Sequence, residues 1–198
     1  MPFLIPEQDE FKTPRFYIFR GIAPQLGVSF IVQKQAELFS KQNKKVLIFD
    51  ALLGLKNFPY PCKNQKKIPM VFNGFLPLTE LITKEKNIDI IAGLSDQNLT
   101  SISLLQQQYI KESLMQLAQN YDVVLIDMPF HVINTIWTDM GENIWITSSD
   151  QNIIRQTLSA NKSSQPHLIL NLRENQSNLN QIYAFIKILC PDCQITCF

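Results

Sequence analysis

A stretch near the start of the chain, residues 21–29, has the position and some of the residues of a phosphate-binding loop. It lies between an apolar segment and a helical pattern, and it reads GIAPQLGVS. Phosphate binding at such a loop needs glycines for close backbone approach, a lysine for the terminal phosphates and a Ser or Thr for magnesium. Gly27 and Ser29 meet two of these needs, whereas Val28 occupies the lysine position. The stretch therefore predicts the shape of a phosphate site without its principal positive charge.

Two acidic residues close apolar runs that are typical of buried strands. Residues 45–50 end in Asp50, and residues 122–127 end in Asp127. Continuous apolar runs of this kind indicate parallel strands covered on both faces. Ligands of such sheets bind beyond the carboxyl ends of the strands, so both acids are expected beside the loop. We expect their carboxylates to accept hydrogen bonds from loop N–H groups, and Ser29 to cap the following helix.

The elements that must position these residues alternate between strand and helix. Apolar runs predict strands at 16–19, 45–50, 88–92, 122–127, 143–147, 167–172 and 194–197. Helical spacing predicts helices at 28–41, 78–84, 102–119, 150–161 (with Asp150 as N-cap) and 179–189. This alternation predicts an α/β fold with three layers and a doubly wound, mostly parallel sheet. Residues 1–14 are interpreted as an N-terminal arm, and residues 15–198 as a single domain.

Three further stretches follow one another in a familiar order. They are KKVLIFDALLGLKN at 44–57, IIAGLS at 90–95 and YDVVLID at 121–127. They resemble K-K-V-L-L-x-D-A-D-L-G-L-A-N, I-I-P-G-G-S and Y-D-Y-I-L-I-D of the MinD/ParA group of deviant-Walker P-loop ATPases. The resemblance is greatest to the flagellar-number regulator and cellulose-synthesis branch, and it runs from about residue 15 to about residue 189. It implies the P-loop fold, with Asp127 as the Walker B acid and Asn171 where the family's asparagine reads adenine.

The sequence of this loop differs from that of the family at the positions that bind phosphate and support hydrolysis. The family loop reads G-K-G-G-V-G-K-T, and residues 22–29 keep only Gly27 and the hydroxyl of Ser29. Ala23 replaces the lysine that reaches across the dimer, and Leu52 replaces the acid that helps to set up the attacking water. The remaining losses are Pro24 and Gln25 for two glycines and Val28 for the phosphate lysine. The resemblance thus implies a vestigial nucleotide pocket, with no catalytic residue and no cofactor, made of Gly27, Ser29, Asp50, Asp127 and Asn171.

The same losses leave the former nucleotide edge unusually apolar, which is typical of an interaction surface. Its residues are Pro24, Leu26, Val28 and Leu52. Together with the resemblance, this favours a non-catalytic pseudo-ATPase. It would act as a scaffold or adaptor in the assembly or positioning of a bacterial envelope machine, namely a secretion system, pilus, flagellum or polysaccharide synthase. The expected partners are proteins, in a homodimer or a larger envelope-associated complex. Two alternatives stay open: a regulator that binds nucleotide weakly without hydrolysis, and an enzyme with an unrecognised site near His131 and Asp139.

The cysteines allow a zinc site as an alternative to buried thiols. Cys190, Cys193 and Cys197 are spaced closely enough to share a metal, with Cys62 or His167 as a fourth ligand. Residues 194–197 are predicted to form a strand, however, and alternate strand residues face opposite ways. The pattern therefore favours no metal.

Composition narrows the remaining classes of function. Lys and Arg number 18 and Asp and Glu number 17, a formal net charge of +1, which argues against nucleic acid as a partner. No apolar run approaches the roughly 20 residues of a membrane-spanning helix, and the start of the chain does not resemble a secretory signal. The expected location is the cytoplasm, including recruitment to the cytoplasmic face of the inner membrane without insertion.

Overall fold

The computed structural model describes residues 14–51, 67, 70–71, 73–91, 103–128, 137–161, 163, 165–172 and 179–198. The strands are β1 (Arg15–Gly21), β2 (Val46–Asp50), β3 (Ile82–Glu85), β4 (Ile88–Ile91), β5 (Val123–Met128), β6 (Glu142–Thr147), β7 (His167–Leu170) and β8 (Gln194–Cys197). The helices are α1 (Val28–Lys41), α2 (Leu104–Ala118), α3 (Gln151–Ala160) and α4 (Leu179–Leu189). The predicted arm, apart from Pro14, lies outside the described residues.

The eight strands form one sheet in the order β3-β4-β2-β5-β1-β6-β7-β8. Every neighbouring pair is parallel except β3 and β4, which are antiparallel. The predicted fold class is therefore confirmed. Because the sheet is parallel, the carboxyl ends of β1, β2 and β5 meet at one edge, and Phe19, Asp50 and Asp127 stand level with one another there.

Helices cover both faces of the sheet, which gives the predicted three layers. On one face, α1 buries Ile31, Val32 and Ala36 against strand residues such as Phe19 and Leu125. On the other face, α2 packs against the centre of the sheet, while α3 and α4 cover β6 and β7. Burial of these apolar faces is the main stabilising contribution to a fold of this kind.

One predicted element is wrong. Residues 78–84 were expected to form a short helix, but Leu78–Leu81 is a single 3₁₀ turn and Ile82–Glu85 is the edge strand β3. Lys86, with φ of 55°, turns the chain into β4. The sequence pattern cannot distinguish the two, because a stretch this short fits helical and strand periods alike.

The helix starts also test the sequence interpretation. Asp150 is the N-cap of α3, as predicted, and its Oδ1 accepts from the N–H groups of Asn152 (2.7 Å) and Ile153 (3.1 Å). Ser29 is not the N-cap of α1, because Gly27 holds that position with φ of 81°. A left-handed backbone is accessible to glycine at little cost, so the chain can enter α1 without a side-chain cap. None of the described helices is both long and apolar enough to cross a bilayer.

Candidate functional site

The loop from β1 to α1 packs against the core of the protein. A methyl group built on Gly21 would lie 2.9 Å from Leu26 Cδ1 and 3.3 Å from Val28 Cγ2, so both side chains lie against the Gly21 backbone. Leu26 is only 9% exposed, and Val28 packs against the core under α1. Leu26 and Val28 thus pack on the core side of the loop. Val28 does so at the position where the resembling family has its phosphate lysine.

Asn171 forms a hydrogen bond with the backbone of this loop. It follows β7, and its backbone N–H donates to the Thr147 carbonyl at 2.9 Å. Its side-chain Nδ2 donates to the Leu26 carbonyl at 2.8 Å, across 145 residues of sequence. Through this contact Asn171 joins the end of β7 to the backbone of the loop. The same amide that would read a base in the resembling family here holds the loop in its inward position.

Asp50, Asp127 and Ser29 come together as the sequence predicted. Asp50 ends β2, and Asp127, paired with it in register, is the last residue but one of β5; both are buried on the face covered by α1. Ser29 lies in the first turn of α1, and its hydroxyl is close enough to Asp127 to favour the charged carboxylate. These three residues form the polar part of the vestigial pocket.

The Asp127 carboxylate has an environment that the sequence did not indicate. Within the part of the chain that the structure describes, neither oxygen has a hydrogen-bond partner of ordinary geometry. Burial raises the pKa of Asp127 to about 7, and the smaller, opposing effect comes from the Ser29 hydroxyl. The expectation that this carboxylate accepts from loop N–H groups is therefore wrong for the described loop residues. A buried acid without partners favours its protonated form, or a cation beside it.

The family's ligand, a magnesium nucleotide, can be tested against these residues. Asp127, Asp50 and Ser29 offer hard oxygen ligands of the kind that magnesium prefers. The phosphates have no comparable support, because Pro24 has no N–H to donate and Val28 has no charge. The described residues therefore do not fit a bound triphosphate.

Arg20 cannot substitute for the missing lysine. It is the residue before the loop, it is buried, and burial lowers the pKa of its guanidinium. Its side chain faces away from α1, since the preceding Phe19 is on the α1 side. The guanidinium lies 4.6 Å from the centre of the Trp145 ring, and it donates to Asn143 Oδ1 at 3.5 Å. A charged residue within the apolar run FYIFRG is the sequence signal for this contact, and our sequence interpretation missed it.

The exposed apolar face beside the loop is made of partly different residues from those predicted. Leu26 is buried rather than available to a partner, Pro24 is exposed, Val28 is half-buried, and Leu52 lies outside the described residues. Phe30, in the first turn of α1, is 51% exposed and meets the Phe198 ring edge-on at 5.6 Å. The exposed apolar surface next to the loop is thus formed by Pro24, Val28 and Phe30, which we call the loop face.

The other predicted sites are not assembled. Cys193 Sγ donates to the Gln194 carbonyl, and Cys197 Sγ donates to Tyr183 Oη. The described residues contain no group of three His, Cys, Asp or Glu side chains that could hold a metal, which counts against the zinc alternative. The His167 ring lies between Glu142 and Thr196, at 3.1 Å and 3.2 Å. Cys190 is half-buried in the turn after α4.

The alternative site was expected near His131 and Asp139, and of these two residues only Asp139 lies within the described part of the chain. Asp139 is exposed, and its carboxylate forms an ion pair with Lys111 at 2.8 Å. His131 and Cys62 lie outside the described residues. Asp139 is thus engaged by a lysine of α2.

Comparisons with known proteins support the architecture. No family model matches the chain. A segment of 114 residues is 32% identical to part of the tyrosine-protein kinase ptk of Acinetobacter johnsonii. That match covers 55% of this chain and 15% of the kinase, so the chain spans a small part of that relative's length.

Two solved structures are similar over nearly the whole chain. The MinC:MinD cell division protein complex of Aquifex aeolicus gives a TM-score of 0.65 at 16% identity, over 91% of this chain and 79% of that chain. A ParA family ATPase of Chlorobium tepidum gives a TM-score of 0.65 at 14% identity, over 94% and 84%. At such low identity the likeness concerns architecture and not activity. The chain has the fold of the MinD/ParA-type P-loop ATPases.

Proposed function

We propose that this protein is a non-catalytic member of the MinD/ParA group, of the flagellar-number regulator or cellulose-synthesis type. It acts as a scaffold or adaptor that binds a protein partner in a bacterial envelope assembly. The proposal rests on the fold together with the replaced loop residues. What such a domain retains without phosphate chemistry is a rigid sheet that presents its edge and its helices to partners.

The observation that carries the proposal is the loss of charge and of an N–H donor from the loop. Phosphoryl transfer depends on positive charge and N–H donors aimed at the transferred group. Here the loop has an alanine and a valine where the family has its two lysines, and a proline where the family has a glycine. Leu26 stands where the family also has an apolar residue, so the proposal rests on Ala23, Pro24 and Val28.

The purified protein is expected to show neither ATP hydrolysis nor transfer of phosphate to tyrosine. The reason is the lack of a cation at position 28 and at position 23. Release of ADP and incorporation of radiolabelled phosphate measure the two activities. Val28→Lys alone is expected to remain inactive as well, because Pro24 still lacks an N–H and Leu52 still stands in place of the water-orienting acid. Turnover by either protein that disappears on Asp127→Ala would overturn the proposal.

The loop face is expected to contact the partner. Phe30→Glu should abolish capture of the partner that the wild-type protein binds, because it puts a charge into an exposed apolar surface. The matched control is Phe75→Glu, since Phe75 is 75% exposed and lies outside the loop face. Affinity capture from the native cell, with the bound protein identified by mass spectrometry, makes the measurement. Equal capture by both variants would place the contact elsewhere.

A second candidate function, nucleotide binding without hydrolysis, is favoured by one observation. Asp127 lacks partners among the described residues, and the Ser29 hydroxyl lies beside it. That pair could hold magnesium carried by a nucleoside diphosphate. Calorimetric titration with magnesium and ADP distinguishes the two candidates: the adaptor predicts no heat of binding, whereas the regulator predicts binding that Asp127→Asn removes.

A further inference from the structure

A basic groove lies at the opposite edge of the sheet from the vestigial pocket. It has a volume of about 410 Å³ and lies at the amino ends of β2 and β4, where four lysines and three asparagines line it together with Val46, Asp89 and Tyr121. The lysines are Lys44 and Lys45 before β2, Lys84 in β3 and Lys86 in the β3–β4 turn. All four are exposed. We call this surface the lysine groove.

The lysine groove carries more positive than negative charge. None of its four lysines forms an ion pair within 4.0 Å of a described acid. Two carboxylates offset part of the charge: Asp89, which lines the groove and accepts from the Tyr121 hydroxyl at 2.7 Å, and Asp122, whose Oδ2 accepts from the Lys45 backbone N–H at 2.7 Å. Four lysines against these two carboxylates leave a net positive surface that favours an anionic occupant.

The chain itself contains an acidic segment that precedes β1 in the sequence. Three of its 17 acidic residues fall within four positions, at Glu7, Asp9 and Glu10. The segment precedes Arg15, which begins β1 at the same edge of the sheet, and the Arg15 N–H donates to the Asp122 carbonyl at 3.0 Å. We propose that the lysine groove binds this acidic segment, Glu7 to Glu10, of the same chain.

The distances allow the contact within one molecule. In the sheet order, β5 separates β1 from β2, and β4 is one strand further. At about 4.8 Å between strands, Lys45 is about 10 Å and β4 about 14 Å from Arg15 across the sheet. An extended chain covers up to about 3.3–3.6 Å per residue, so Glu10 can reach about 17 Å and Glu7 about 27 Å from Arg15. Lys84 lies in β3, one strand beyond β4 and about 19 Å from Arg15, so Glu7 can reach it and Glu10 cannot.

Lysine is suited to such a contact. Its ammonium is a point charge on a flexible stem, which pairs with carboxylates without a fixed fork geometry. The binding should therefore be electrostatic and weakened by salt, because exposed ion pairs are screened. Occupation of the groove by the segment would also keep other anionic partners away from this edge.

Zero-length cross-linking with a carbodiimide tests the proposal on the full chain. The reagent joins a carboxylate to a lysine amine only when the two are in contact, and mass spectrometry maps the joined pairs. We expect Glu7, Asp9 and Glu10 to cross-link to the four groove lysines severalfold more than to Lys34 and Lys187, which are bonded elsewhere. Raising the salt from about 50 mM to about 500 mM should reduce these cross-links severalfold. Lys12, two residues from Glu10, provides an internal reference for carboxylate activation.

An equal mixture of ¹⁴N- and ¹⁵N-labelled protein identifies the source of the segment. Cross-links within one isotope support the proposal, whereas mixed pairs in statistical proportion would overturn it in favour of a second copy. A variant with Lys44, Lys45, Lys84 and Lys86 all changed to glutamine should lose the signal while keeping its melting temperature, because these side chains are exposed. Arm cross-links that are spread evenly over all lysines, or that persist in this variant at other lysines, would also overturn the proposal.

Discussion

Replacing Asp127 with asparagine is expected to make the stability of the protein less dependent on pH. In the wild type, the free energy of unfolding should fall by about 2–3 kcal/mol between pH 5 and pH 8 through this one group. The asparagine variant should lack that fall. At pH 5 the two proteins should differ by less than about 1 kcal/mol, and at pH 8 the variant should be the more stable.

The sign follows from the raised pKa of Asp127, which burial brings to about 7. An unfolded aspartic acid titrates near 3.9, so between about pH 4 and pH 7 the native state binds more protons than the unfolded state. Stability from this group is therefore present at low pH and is lost as pH rises through that window. Above pH 7 the folded protein holds an ionised, buried carboxylate that has the Ser29 hydroxyl beside it and no hydrogen bond of ordinary geometry from a described residue.

Urea unfolding at pH 5, 6, 7 and 8 makes the measurement. Asp192→Asn is the matched control, because Asp192 is exposed in the turn before β8 and its replacement should leave the pH profile unchanged. The quantity to compare is the difference between variant and wild type at each pH, which cancels the titration of other groups. A constant difference over this range would show that the carboxylate is stabilised by a partner.

The fold could be predicted from the sequence because its signals are local and repeated. The apolar runs before Asp50 and Asp127 predict buried strands, and the spacing of Val28, Val32, Ala36 and Phe39 predicts α1 over its observed length. The edge strand β3 could not be predicted, because only its pairing with β4 distinguishes it from a short helix. Burial patterns determine central strands more strongly than edges, where one side is open.

The sequence predicted which residues form the polar part of the candidate site, but it did not predict how the loop packs beside them. The ends of parallel strands must meet, so Asp50, Asp127 and Ser29 were correctly expected together. Whether an apolar loop residue points outward or inward depends on space left by distant elements. Leu26 points inward because Gly21 leaves room beneath it and Asn171, far along the chain, holds its carbonyl. No local pattern carries that information.

Leu26→Asp is accordingly expected to destabilise the fold by about 3–4 kcal/mol, and so cannot serve as an interface variant. Leu26 is 9% exposed and packs with the core between α1 and the sheet. The substitution removes that apolar contact, and it places a carboxylate beside Val28 and the Gly21 backbone. Truncation of a buried leucine alone costs about 2–5 kcal/mol, and an unpaired charge adds to the cost. Chemical unfolding at pH 7.5 should show the loss.

Pro24→Asp is the control for this prediction, since it introduces the same charge two residues away. Pro24 is exposed, so its replacement should cost less than about 1 kcal/mol, mostly from the added freedom of the unfolded chain. A large cost at Leu26 with a small one at Pro24 would establish that the Leu26 side chain belongs to the core. Equal and small costs would instead mean that Leu26 can leave the core at little cost. The contrast between these two variants therefore tests whether Leu26 belongs to the core or to the exposed loop face, because only a core residue makes the buried apolar contacts that the charge would remove.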